Sequence, residues 1–272
     1  NRLKPGFEAP TCIVASIGKS VEMPSRNRTV LVGLIRDVEN PLSTRFEVRS
    51  PNPHTNTYLA LAAIYQAMLD GIKYAIESGK TSKELEREFS KQAGEESGYL
   101  EKDRAYRSEE DMFEYYTVEE INRMFGVPPA TVWESLKNIS QYPEKTAVLM
   151  KGGVFEKYII ESYMKAVSIQ WTMELHERIL VENAEFIRSC VKRHSDSNCT
   201  DYDEELWTRI NSMRKYLMKD SLKTKSLFTR IREAIDTGDY DTVSNLQKEM
   251  NERMIELERL YTTYKRNIMD VD

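Results

Sequence analysis

Cysteine and histidine are scarce in this sequence, three of each in 272 residues. Cys12, Cys190 and Cys199 show no paired spacing. That excludes a disulfide framework and fits a reducing, cytoplasmic setting. With no clustered Cys or His, a zinc site is not expected either. No apolar run approaches the roughly 20 residues that cross a bilayer, and no signal peptide is legible, so no membrane partner is expected. A basic excess is also lacking. The 39 Lys+Arg stand against 44 Asp+Glu, a net charge of −5, which argues against nucleic acid as a general partner. No fixed-period repeat and no low-complexity tract is visible.

The charge that is present is unevenly placed. Residues 1–50 hold eight basic and five acidic side chains, so the remainder carries −8. A local basic surplus is where an anionic ligand would bind. In the same region TCIVASI (11–17) and TVLVGLI (29–35) are β-branched and apolar and predict strands, punctuated by Gly6, Gly18 and Pro24. RFEVR (45–49) predicts a third strand. Alternation puts Phe46 and Val48 on a core-facing side. Arg45, Glu47 and Arg49 fall on the other side, about 7 Å from one to the next. That charged face has two readings. It is an exposed row of ion pairs, worth little. Or it is a site for polyphosphate or carboxylate, with the arginines binding bidentately and Glu47 acting through a divalent cation.

From His54 the pattern turns helical. NTYLALAAIYQAMLDGI (56–72) is apolar around most of its circumference, which predicts a buried helix. Residues 76–116 are highly charged and predict short helices and exposed loop. Thr117 with Glu120, and Thr131 with Glu134, match capping boxes on either side of Pro128-Pro129. MKGGVF (150–155) is a break. A long helix is expected from about Glu156 to Arg193, then a polar loop over 194–203. Leu206, Ile210, Met213 and Leu217 recur at helical spacing. Asp236-Thr237-Gly238-Asp239 is a turn, and Val243, Leu246, Met250, Leu257, Tyr261, Tyr264 and Ile268 form a 3–4 stripe. These three segments predict an antiparallel bundle. The fold class expected is α+β, a partial antiparallel sheet followed by a mostly helical remainder. It divides into residues 1–75 (strands, loops and the buried helix), 76–195 (helical) and 196–272 (a C-terminal helical hairpin).

Taken in order, NRLKPGFEAP, SRNRT, RFEVRSPNP, NTYLALAAIYQAMLDGI and MKGGVF resemble the C-terminal catalytic part of the glutamine synthetase family. The likeness is specific over about residues 1–75 and looser around 146–190. It implies a cytoplasmic ATP-dependent ligase of glutamine biosynthesis, which joins glutamate and ammonia through a γ-glutamyl phosphate. It also implies Mg²⁺ or Mn²⁺ and a ring-shaped homo-oligomer. By motif, Arg2 would hold the glutamate carboxylate. Glu8 would lie on the flap that covers the acyl phosphate and would help ammonium lose its proton. Arg28 would sit on the transferring phosphoryl group and Arg45 on the ATP phosphates. Glu47 would bind a divalent ion, and Arg49 would meet glutamate and the transferred phosphate.

The sequence also departs from that family. An arginine expected soon after SRNRT falls near Gly33-Leu34, and a lysine expected before R-x-E-x-R falls at Leu42. The family's other metal-binding acids and its histidine-bearing strand precede the Asn-Arg-Leu motif, and the chain begins at Asn1. A C-terminal portion, inactive alone, is therefore expected. No adenylylation-type tyrosine loop is recognisable in 76–146, and the helices past about residue 195 exceed the family's usual end. Two other functions stay open: a ligase using another amine, and a catalytically degenerate regulatory or scaffold protein.

Overall fold

A computed structural model describes residues 12–20, 22–25, 27, 29–37, 39–49, 51 and 55–269. Among the described residues, three strands are ordered β1 (Cys12–Ser16), β2 (Val30–Ile35) and β3 (Arg45–Val48) across one sheet. The β2–β3 pair is antiparallel, with Gly33 opposite Glu47 and Val32 opposite Val48. The β1–β2 pair is parallel. The sheet is thus mixed where an antiparallel one was expected. A parallel neighbour needs a crossover longer than a hairpin turn, and the segment between Ser16 and Val30 supplies it. A turn of 3-10 helix, Pro41–Ser43, leads into β3, with the Asn40 side chain accepting from Leu42 N.

The helices are α1 (Thr57–Ser78), α2 (Ser82–Phe89), α3 (Met112–Tyr115), α4 (Val118–Phe125), α5 (Val132–Gln141), α6 (Pro143–Met150), α7 (Lys157–Glu174), α8 (Leu180–Ser189), α9 (Asp201–Met218), α10 (Leu227–Thr237) and α11 (Tyr240–Asn267). The chain forms two units. One comprises Asn1–Pro129 and Glu144–Phe155, the other Ala130–Pro143 and Glu156–Asp272.

In the first unit, β1 is flanked by a segment from the charged region. Ala15 N donates to Tyr106 O at 2.8 Å, and Ser108 N donates to Ala15 O at 3.0 Å. The small core here gathers Val30, Ala105, Met112, Ile121 and Phe125. The expected Thr117–Glu120 capping box is present in full at the start of α4.

Helix α1 is begun by Asn56, whose side chain accepts from Tyr58 N and Leu59 N, and is ended by Gly79 at φ 63°. The expectation that it is buried fails. Its inward stripe is Gln66, Asp70 and Tyr74, one every four residues. Gln66 Nε2 donates to Lys151 O (2.5 Å) and Leu149 O (3.2 Å). Asp70 accepts from Tyr99 Oη (2.9 Å) and pairs with Lys151. Tyr74 stacks on Tyr99, ring centroids 4.6 Å apart. The apolar residues Tyr58, Tyr65, Ile72 and Ile76 are exposed instead, Ile76 to 74%. Periodicity shows that a helix is apolar nearly all round, but not what covers it. The same helix corrects the reading of apolar runs. Its 22 residues are long and apolar enough to cross a membrane by length and composition, although they include Asp70, Lys73 and Glu77.

The second unit holds the larger core, with Leu175, Leu180, Ile210, Leu217, Ile231, Val243, Leu257 and Tyr264 almost wholly buried. Helices α7 and α8 are joined by one π-helical turn, Leu175–Ile179. The pairs Asp203–Asn267, Arg209–Glu256 and Tyr216–Glu249 run in opposite order along α9 and α11, so these two are antiparallel as expected. Helix α10 was not anticipated. It ends at Gly238 (φ 71°), where Asp239 N bonds Ala234 O. Only glycine takes this left-handed turn without strain. Asp239 then caps α11 through Thr242 N. At α5, Thr131 caps Glu134 N, but the Glu134 carboxylate reaches Ala130 N (2.7 Å), one residue before the position that a capping box requires.

Candidate active site on the third strand

Strand β3 brings Glu47 and Arg49 together. Arg49 Nη2 lies 2.7 Å from Glu47 Oε1. Arg49 Nη1 donates to Val30 O (3.2 Å) and Asn27 O (3.4 Å). The backbone N of Arg49, just past the strand, still bonds Leu31 O at 2.8 Å. The guanidinium is therefore fixed from three sides. Arg45 is exposed at the other end of β3, with Nη1 on Ser43 O at 3.2 Å. The alternation expected for the charged face is borne out by the Glu47–Arg49 pair. The apolar face is not buried: Phe46 is 61% exposed and Val48 half-buried, because no described element packs a core over it.

Arg2, Glu8 and Arg28 lie outside the described residues. The sequence neighbour of Arg28, Asn27, is described and is buried. Asn27 Nδ2 donates to Glu110 O (2.5 Å), and Oδ1 accepts from Thr29 N (2.9 Å) and Thr29 Oγ1 (2.6 Å). Sequence reasoning missed this anchor, since Asn27 reads only as part of a polar loop.

It also missed Glu109. Its carboxylate accepts from Ser16 Oγ (2.5 Å), Gly18 N (2.9 Å), Ile17 N (3.2 Å) and Arg107 Nε (2.8 Å). Burial pushes this carboxyl up. The bonds from Ser16, Arg107 and the two backbone groups outweigh it and hold the group below the usual carboxylate range. Glu109 lines a shallow cavity of about 320 Å³ with Gly18, Lys19, Glu22, Met23, Pro24 and Ser25. No local signal marks Glu109 in the sequence beyond its neighbour Arg107, because its other partners, Ser16, Ile17 and Gly18, lie some ninety residues away.

A hard divalent ion prefers oxygen ligands, and Glu47 offers such an oxygen. Among the described residues no set of three Asp, Glu, His or Cys ligand atoms gathers around it. The donor chemistry of Glu47 fits one ligand of such an ion and does not by itself make a cage. The resemblance calls for an Arg near Gly33-Leu34 and a Lys at Leu42. Gly33 has no side chain, and Leu42 is 96% exposed.

Comparison with known proteins carries this strand into a class. Residues 1–104 match the family described as glutamine synthetase, catalytic domain. Glutamine synthetase from Staphylococcus epidermidis is 49% identical over 76 residues, which are 28% of this chain and 15% of that protein. That of Streptomyces filamentosus is 42% identical over 77 residues, again 28% and 15%. That of Aquifex aeolicus is 39% identical over 80 residues, 29% and 15%. The chain thus spans about 15% of the length of these relatives. No solved structure matches. The first 104 residues are thus similar to the glutamine synthetase catalytic domain, as their motifs had indicated.

Proposed function

We propose that this chain is the C-terminal portion of an ATP-dependent carboxylate–amine ligase, which makes glutamine from glutamate and ammonia. The observation that carries the reading is the Glu47–Arg49 pair on β3, inside the segment that matches the synthetase family. In this reading the glutamate γ-carboxylate attacks the γ-phosphorus of ATP and ADP leaves. Ammonia then attacks the acyl carbon and phosphate leaves. Phosphoryl transfer of this kind depends on positioning and charge neutralisation. Arg45 and Arg28 hold the phosphates, and Arg2 and Arg49 hold glutamate. Glu8 shields the acyl phosphate and takes the ammonium proton. Glu47 would hold Mg²⁺ or Mn²⁺, which supplies charge stabilisation at the phosphates.

The family's further metal-binding acids have no counterpart in this sequence, so the chain alone is expected not to turn over. The reading extends to a cytoplasmic homo-oligomer, in which neighbouring copies complete the sites.

A second reading is favoured by one observation. Gly33 and Leu42 leave two expected cations out of the nucleotide side, which suits a degenerate scaffold. The deciding experiment is ADP release by the full-length polypeptide with Mg²⁺, ATP and glutamate, with and without ammonium. Ammonium-stimulated release that is lost in Glu47→Ala supports the ligase. Release with a different amine alone shifts the substrate. No release with any amine favours the scaffold.

A further inference from the structure

Three potential ligands converge at the entrance to α9, far in sequence from the synthetase motifs. His194 and Cys199 sit in the loop between α8 and α9, and Glu204 is in the first turn of α9. They lie five residues apart along the chain, a spacing that matches no linear metal motif. Their ligand atoms all lie within 4.8 Å of one another. His194 Nε2 is 3.2 Å from Glu204 Oε1, and Cys199 Sγ is 3.5 Å from the same oxygen. Zinc takes nitrogen at about 2.0 Å, sulfur at about 2.3 Å and oxygen at about 2.0 Å in a tetrahedron, so its ligands sit about 3.3 Å (N to O) and about 3.5 Å (S to O) apart. The two separations to Glu204, which are hydrogen bonds in the metal-free chain, match two edges of such a tetrahedron.

The cluster is held in place. The His194 side chain is 1% exposed, and its Nδ1 lies 2.9 Å from Tyr264 Oη. Thr200 and Asp203 cap α9, and Asp203 is tied to Asn267 at 2.7 Å. Cys199 and Glu204 are open to solvent on one side, which leaves a fourth position for water. We propose that His194, Cys199 and Glu204 bind one borderline-soft divalent cation of the zinc type, with water as fourth ligand. The nitrogen–sulfur–oxygen donor set excludes Mg²⁺ and Ca²⁺, which require oxygen.

The protons balance as follows. Tyr264 Oη accepts from Arg193 N (2.7 Å) and His194 N (3.1 Å), so both its lone pairs are used and its own proton points at Nδ1. The metal-free imidazole therefore carries its proton on Nε2. When the cation takes Nε2, the imidazole stays neutral with its proton on Nδ1. The Tyr264 hydroxyl then turns to accept a hydrogen bond from Nδ1–H, in place of the longer bond from His194 N. The Cys199 thiol must become a thiolate to ligate, so one proton is released per ion bound. Lys192 Nζ, 3.4 Å from Glu204 Oε1 and partly exposed, swings away to solvent.

The test is titration of the 272-residue chain with Co²⁺ as a spectroscopic probe, followed by displacement with Zn²⁺. The expected result is one ion per chain, visible bands of tetrahedral cobalt, a thiolate-to-cobalt charge-transfer band and one proton released. In Cys199→Ala the charge-transfer band is lost and affinity falls at least tenfold. In Glu204→Gln, an exposed substitution that spares the core, affinity falls at least tenfold while the band remains. Absence of the charge-transfer band in the unmodified chain overturns the proposal. So does its survival in Cys199→Ala, or unchanged affinity in both variants.

Discussion

The guanidinium of Arg49 lies over Gly33: a β-carbon placed on Gly33 would meet both Nη atoms at 3.2 Å. The missing side chain at Gly33 therefore makes room for a neighbouring cation on the same sheet face. Arg49 is held by Glu47 and two carbonyls and cannot give way freely. Gly33→Ala is expected to destabilise by about 1–3 kcal/mol, the usual cost of overpacking, and the entropic gain of losing a glycine is about 0.4–1 kcal/mol. Urea unfolding measures the difference. A rise in the midpoint would show that Arg49 yields easily.

Asn27→Ala should destabilise by about 1–3 kcal/mol, because Glu110 O and the Thr29 donors lose a buried partner. Asn27→Asp should do no better, since a carboxylate cannot donate to Glu110 O. Equal stability of either variant with the parent would show that the loop is anchored elsewhere.

Glu88 gives a pH dependence. Burial raises this carboxyl, but bonds from Lys80, Tyr74, Ser97 and Gly98 N prevail and bring it down to about 2. A carboxyl depressed in the folded state stabilises it above the unfolded value, and that stability is lost as pH falls through the folded value. The loss should fall between pH 4.5 and about 2. Urea midpoints across this window should drop less in Glu88→Gln than in the parent. Parallel curves would remove Glu88 from the account.

Cys190 is fully buried, and burial pushes its thiol up to about 11. Since the thiolate is the reactive form, alkylation followed by peptide mapping should label Cys199 well before Cys190. Cys190 should react only on unfolding. Early labelling of Cys190 would mean that the end of α8 opens in the native state.

The outward face of α1 exposes Tyr58, Tyr65, Ile72 and Ile76. Contiguous apolar exposure of this kind binds hydrophobic dyes and other apolar surfaces. The isolated chain should enhance the fluorescence of such a dye, and Tyr65→Lys with Ile72→Lys should reduce it without loss of helix content. An unchanged signal in the double variant would place the dye elsewhere.

Much was legible from residue pattern alone. The α+β class, the family motifs of the first hundred residues, the Thr117 box, the turn at Gly238 and the buried stripe of α11 all depend on neighbours within a few positions, where spacing and backbone preference act directly. The side-by-side placement of Glu47 and Arg49 also follows from strand alternation. Other features required the folded chain, because their partners are distant in sequence. The parallel pairing of β1 depends on a crossover. Glu109 depends on Ser16 and Gly18. The outward turn of α1 depends on which elements cover Gln66 and Asp70, which its own composition cannot specify. The aim of the His194 imidazole at Glu204 depends on Tyr264, seventy residues later, because only tertiary packing brings that hydroxyl to Nδ1.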